Sequence, residues 1–345
     1  MRAHALLLYA VAIAIAGCAR SYHAVVPVRE YIVQHLYPVM HSGQVGFIDR
    51  DGGEQPFMVA TGGELSGTYA EGFALFRENT RWGYVDEWGR AAIPACYDEA
   101  GPFSGGRARV VLEGRPGIID RQGNITFHEN FRHLPMTYCF AEGLSPVVIN
   151  GRVGFIDAQG MIKIRPQYED ARCFSEGRAA VRVSRQWGFI DRTGSLVIDA
   201  RYDEAGPFSQ GAAPVRTGGK YGYIDAQGTM IISPRYDWAD SPAGGLAITE
   251  LNSKYGFIDT RGYEVIPHQF DFVFPFSEGL AAACVNHKWG WIDRAGVFVI
   301  PPEYDLAGRF RNGLAQAWSI SRWGGEWAYV NVKGELVWAP ERAAP

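Results

Sequence analysis

The chain reads as all-β: a tandem array of about nine three-stranded β-meander units of about 34 residues, most simply an open superhelical solenoid. Three observations predict it. A glycine recurs in constant phase along the chain, each copy is followed three residues later by an acidic or amide side chain, and no stretch holds a helical period over ten residues.

The glycines stand in Val45-Gly46-Phe47, Trp82-Gly83-Tyr84, Pro116-Gly117-Ile118, Val153-Gly154-Phe155, Trp187-Gly188-Phe189, Tyr221-Gly222-Tyr223, Tyr255-Gly256-Phe257 and Trp289-Gly290-Trp291, at intervals of 37, 34, 37, 34, 34, 34 and 34 residues. Asp49, Asp86, Asp120, Asp157, Asp191, Asp225, Asp259 and Asp293 follow them, and a decayed ninth copy closes the series as Trp327-Ala328-Tyr329-Val330-Asn331. A second marker runs from Glu71-Gly72 to Asn312-Gly313, and a third is the aromatic-acidic pair, as in Tyr202-Asp203 and Tyr236-Asp237.

Within one period the apolar pattern is short and alternating: Arg178 to Val183, then Trp187 to Asp191, then Ser195 to Ile198. Asp191-Arg-Thr-Gly194 predicts a tight hairpin turn, because the carboxylate bonds the backbone ahead of it and glycine accepts positive φ. In the central strand the residue before glycine, the aromatic after it and the aspartate share one side, with glycine and isoleucine on the other. A mid-strand glycine weakens pairing unless something packs on the bare Cα, so its recurrence predicts a neighbouring ring or backbone there. Decay at both ends reads as capping of an open array, and three strands per unit argue against the four of a propeller blade.

These residues, in their fullest form Lys288-Trp289-Gly290-Trp291-Ile292-Asp293, resemble the WG-repeat family from about residue 30 onward. Val45, Pro116 and Val153 depart from the Trp column and Ala328 from the glycine. The resemblance implies a β-rich scaffold for binding or assembly, often exported or attached to other domains, with no catalytic residue set to carry over.

The N-terminus reads as an address. Arg2, an apolar run from Ala5 to Ile15 and Ile15-Ala16-Gly17-Cys18 resemble the lipobox of bacterial lipoproteins, whose cysteine is acylated and becomes the new N-terminus. The run is too short to span a bilayer. This divides the chain into a signal peptide at 1–17, a tether at 18–29 and the repeat domain at 30–345, with Cys18 as the lipidated residue and Ala19 resembling the outer-membrane sorting type. Removing 1–17 loses Arg2 alone, so the balance becomes 32 − 37 = −5. An acidic balance without clustered basic excess argues against nucleic acid.

The aspartate column suits turn capping better than catalysis, since a glycosidase needs two uniquely placed carboxylates. Asp49-Arg50-Asp51-Gly52 hints at a calcium loop but lacks its further ligands and closing Glu. Gln44, Arg81, Arg115, Arg152, Gln186, Lys220, Lys254 and Lys288 form a mostly basic column, either a stripe for an anionic surface or partners of nearby acids. The aromatic columns read as core, with a sugar-stacking platform as the other use.

Departures from the repeat carry the candidate binding sites: the expansions at Gly52 to Gly67 and His128 to Tyr138, and the irregular Ser319 to Trp327. From these come His128, His133, Arg322, Trp323 and Trp327. The two histidines and Glu129 have irregular spacing for a metal and no cysteine partner. Cys139 and Cys173 occupy equivalent places in adjacent units, which permits a disulfide if their Cα atoms lie within about 7 Å. No GxSxG, HExxH, P-loop or CxxC motif with supporting context occurs, and no cofactor is expected. The expected function is that of a lipid-anchored cell-envelope protein, in the outer membrane, presenting an extended surface to a protein or glycan. An envelope-polysaccharide hydrolase or lyase on a propeller, and a structural spacer, are the rival readings.

Overall fold

The computed structural model describes residues 37–41, 44–55, 64–86, 90–134, 139–323 and 326–339. Cys18 and the whole 1–29 leader and tether lie outside the described residues, as do residues 56–63 of the Gly52 to Gly67 expansion. Two compact units form: Met1–Asp49 with Gly53–Tyr138, and Arg50–Gly52 with Cys139–Pro345. Among the described residues there are nine antiparallel sheets, seven of four strands and two of three.

One sheet of the second unit shows why the sequence folds this way. Its strands, Asp170–Ala171, Ala179–Val183, Gln186–Ile190 and Leu196–Tyr202, pair in chain order. The last three are the expected meander. The first is an addition, a two-residue strand formed just after the aromatic-acidic pair, with Asp170 opposite Arg182 and Ala171 opposite Val181. Two residues are too few to show an alternation, which is why the pattern reads as three strands.

Sheets of four antiparallel strands following one another in this way are the blades of a β-propeller. The open solenoid of three-stranded units is therefore corrected, and so is the reading of the decayed ends as caps. In successive blades the turn glycine after the third strand packs on an isoleucine of the preceding blade, as a Cβ on Gly262 would lie 3.1 Å from Ile232 and one on Gly334 3.1 Å from Ile300. The turn arginine likewise reaches the preceding Glu-Gly loop, as Arg192 donates to the Glu142 carbonyl at 2.8 Å and Arg294 to that of Gly244 at 2.9 Å. Within the second unit Arg50–Gly52 makes the same two kinds of contact with the last blade: Gly52 lies against Val337, and the Arg50 guanidinium stands 3.0 Å from where a Gly313 Cβ would be. An open end would leave the last blade without that partner.

The core lies between blades and follows the predicted alternation. Trp187 and Phe189 share a cluster with Ala213, Val215 and Ile224 of the following blade, whereas Ile190, on the opposite side of the same strand, clusters with Phe155 and Ile164 of the preceding one. The aromatic after the glycine meets the loop aromatic of its own period: Phe155 with Phe174, Phe189 with Phe208 and Phe257 with Phe276, each at 4.9 Å between centroids. Where that position is Tyr or Trp its polar atom is satisfied, Tyr223 donating to Asp240 O at 2.8 Å and Trp291 to Gly308 O at 2.9 Å. In the first unit Tyr84 donates to Gly101 O at 2.7 Å beside Phe103.

Candidate functional site

The repeated polar columns are consumed by the fold. Asp191 accepts from the backbone N–H of Thr193 at 2.9 Å and of Ser195 at 3.0 Å, and from the Thr193 hydroxyl at 2.6 Å. Asp120, Asp157, Asp225, Asp259 and Asp293 make the same pair of backbone bonds. Of the basic column, Arg81, Lys220, Lys254 and Lys288 pair with Asp98, Asp237, Asp271 and Asp305 of the aromatic-acidic pairs, and Arg115 lies over the Phe127 ring. A free basic stripe is not what these four cations form.

These bonds set the acid response. The Thr193 hydroxyl, with the Ser195 amide, holds the Asp191 carboxyl below its ordinary range. At Asp157 and Asp259 partial burial pushes the other way and is outweighed by the turn amides. The lysine ammonium, with a backbone amide, does the same for Asp237 and Asp305. A carboxylate whose pKa is lower folded than unfolded stabilises fully above the unfolded value, about 3.9, and that contribution is lost as pH falls through the folded value. Urea midpoints should therefore be flat from pH 7 to about 5 and fall below about pH 4. The Asp191→Asn/Asp259→Asn double variant should show a shallower fall, and an unchanged slope would refute the turn-cap assignment.

The sequence-derived candidates separate into structural and surface groups. His128 caps the 3-10 turn Glu129–His133, its Nδ1 accepting from Asn130 N at 3.1 Å and its ring edge-on to the fully buried Phe131. Buried Arg109 ties the same turn down through Phe131 O at 3.3 Å. His133 is half-buried in that turn. In the second unit, Arg322 pairs with Glu303 at 2.5 Å and lies over the Tyr304 ring, on which Trp323 stacks at 5.9 Å in the short helix Ile320–Trp323. Trp327 is different: it is 43% exposed, opposite Trp318 across the strands.

Trp327 extends an aromatic edge that sequence reasoning did not single out. The residue after each aromatic-acidic pair opens the two-residue strand. In the earlier blades it is acidic, as Glu99, Asp170 and Glu204. In the last three it is Trp238, Phe272 and Leu306, exposed by 38, 40 and 44%. Rings of the Trp-Gly column lie between them: Trp238 to Tyr255 is 6.1 Å, Tyr255 to Phe272 5.0 Å and Phe272 to Trp289 5.9 Å, with Phe274 stacked on Trp289 at 5.4 Å. A readable signal existed in that one column, changing from carboxylate to ring along the array.

At the start of this edge the surface is charged. Glu204 accepts from Arg216 at 3.0 Å and from the Tyr221 hydroxyl, whose pKa is pushed up to about 12 by burial and then by that carboxylate. Tyr255 is raised too, by burial and then the Glu250 charge. Both phenols thus remain protonated donors at neutral pH. The edge so formed can stack flat apolar faces and donate a few hydrogen bonds. Among the described residues no cluster of three His, Cys, Asp or Glu is placed to hold a metal ion.

Comparison with known proteins settles the family. Residues 82–115, 154–184, 187–221, 221–255, 255–289 and 289–317 match the WG-containing repeat. The chain belongs to the WG-repeat family. No curated protein matches this WG-repeat chain. Among solved structures it is similar to a eukaryotic initiation factor, with 13% identity, 89% of this chain and 95% of that one covered and a TM-score of 0.61, a likeness of fold alone. Weaker matches include Hsv2 of Kluyveromyces lactis, at 12% identity, 59% and 73% coverage and a TM-score of 0.40. The extracellular domain of a putative one-component system of B. thetaiotaomicron gives 10% identity, 91% and 47% coverage and a TM-score of 0.41.

Proposed function

We propose that this WG-repeat chain is a lipid-anchored protein of the bacterial cell envelope, held at the outer membrane through Cys18, that binds a protein or glycan partner. The carrying observation is the aromatic edge in which exposed Trp238 and Phe272 alternate with half-buried Tyr255 and Trp289, continued by Leu306 and Trp327. Rings placed at an edge where sister blades carry ion pairs are not needed for the repeat itself, and large exposed aromatics concentrate binding energy.

The test is a glycan array beside pull-down from envelope extracts, each run with wild type and the Trp238→Ala/Phe272→Ala variant. Loss of two exposed rings should weaken the partner at least about tenfold with the melting temperature nearly unchanged. Equal retention of the partner by the variant would refute the aromatic edge, and release of oligosaccharide would favour the hydrolase or lyase reading. For the anchor, fatty-acid labelling should mark wild type and not Cys18→Ser; equal labelling would refute lipidation at that residue.

A further inference from the structure

Successive blades are joined by a carboxylate held on backbone amides. Glu71 accepts from Gly105 N at 2.6 Å and Gly106 N at 2.8 Å, and from the Arg121 guanidinium at 3.3 Å. Glu176 accepts from Gln210 N at 2.6 Å and Gly211 N at 2.9 Å, and Glu278 from Asn312 N and from Gly313 N at 2.7 Å. The receiving turn has two consecutive left-handed residues, which point both N–H groups at one acceptor, an anion-binding nest. In Gln210-Gly211 the φ values are 52° and 79°, and in Asn312-Gly313 51° and 93°.

At Gly244-Gly245 a glutamine replaces the glutamate, Gln210 Oε1 accepting from Gly245 N at 2.9 Å, and at the next step the donor side of the joint is kept with no side chain to fill it. Glu278-Gly279 has the same geometry, φ 53° and 86°, but the residue one period earlier is Gly244. Arg294 is in place, donating to Gly244 O at 2.9 Å, with its Nη2 3.0 Å from where a Gly244 Cβ would be. The Glu278 carboxylate is turned away, onto Asn312 and Gly313. Among the described residues no side chain accepts from the Glu278 and Gly279 amides, and the loops are exposed, with nothing within 4 Å of a Cβ on Gly245 or Gly279.

We propose that the Glu278 and Gly279 amides with Arg294 form a binding site for a carboxylate supplied from outside the chain, the acidic side chain of a partner protein. The sister joints identify the ligand class, because there the same two amides hold a glutamate side chain delivered on a turn. This goes beyond the aromatic edge and is independent of it. The nest precedes Ala281, which pairs with Ile292, whereas Phe272 pairs with Cys284, near the far hairpin where Val285 meets Lys288.

The test is amide chemical-shift titration of the full chain with N-acetyl-glutamate α-amide, its glutamine counterpart and glucuronate. The glutamate probe should shift the Glu278 and Gly279 amides saturably, and the glutamine probe, a neutral acceptor like Gln210 at Gly245, should bind at least about tenfold more weakly. Arg294→Gln should weaken the response about fivefold, the loss of one exposed charge-assisted contact. Gly244→Glu should abolish it by restoring the internal bridge, since Glu71, Glu142 and Glu176 accommodate φ of 51° to 52° close to the 61° of Gly244. Absence of a shift in wild type, or an equal shift in Gly244→Glu, would overturn the site. Tighter binding of glucuronate than of the glutamate probe would overturn the assignment to a protein side chain in favour of an acidic glycan.

Discussion

Gly188→Val should lower stability by about 3 kcal/mol, at the upper end of what overpacking costs, read as a shift in the urea midpoint. The reason is close approach rather than dihedral freedom. A Cβ on Gly188 would stand 2.5 Å from Ile198 O and 2.7 Å from Ala200 N, both backbone atoms that no rotamer change can move. The fourth strand bulges at this point: Trp187 pairs with Tyr202 and Phe189 with Ile198, so residues 199–201 arch over the single glycine. The arch recurs over Gly154, Gly222, Gly256 and Gly290, and Pro166, Pro234, Pro267 and Pro301 stand in it. Gln227→Ala, an exposed turn position, should cost under about 0.5 kcal/mol. Equal midpoints for the two variants would refute the packing account of the glycine column.

Removing the Cys139–Cys173 bond should cost a similar amount. The two Cα atoms are 6.2 Å apart, within disulfide reach, and the bond closes a separation of 34 residues. Loop-closure entropy for that length gives about 3 to 4 kcal/mol. The expected result is a lower urea midpoint for the reduced protein and for Cys139→Ala/Cys173→Ala, the two coinciding. Peptide mapping of the oxidised protein should recover the linked pair, and indistinguishable midpoints before and after reduction would sink the stabilising role. The spacing condition is met because equivalent loops of adjacent blades lie close together, as the Glu142 carboxylate bonding Gly177 N at 3.0 Å already requires.

Much of one blade is legible in its residues. Asp191 through Gly194 make the turn because a carboxylate two residues before an amide and a glycine at φ 86° need no help from elsewhere in the chain. Trp187, Phe189 and Ile190 alternate between two faces as a strand must, and the clusters they join lie on opposite sides of the sheet. The pairing of Lys220, Lys254 and Lys288 with acids 17 residues on was one of two uses open to a basic column, and geometry chose between them. His128 and His133 stood out as breaks in the repeat, but the break is a 3-10 turn seated by Phe131, so His128 serves as its cap.

What the sequence by itself determined is the period, the β character, the turn chemistry and membership of the WG repeat, since each follows from interactions within about 34 residues. Tertiary structure alone decided the fourth strand, because Glu204–Ala205 and its equivalents owe their pairing to the strand beside them and not to any pattern of their own. It also decided propeller over solenoid, through the contact of Arg50–Gly52 with Gly313 and Val337 of the last blade, at the other end of the repeat series. Trp238 and Phe272 belong to the same class of fact. Each ring opens a two-residue strand with no pattern of its own, and only the stacking of consecutive blades leaves them exposed on either side of the Tyr255 ring.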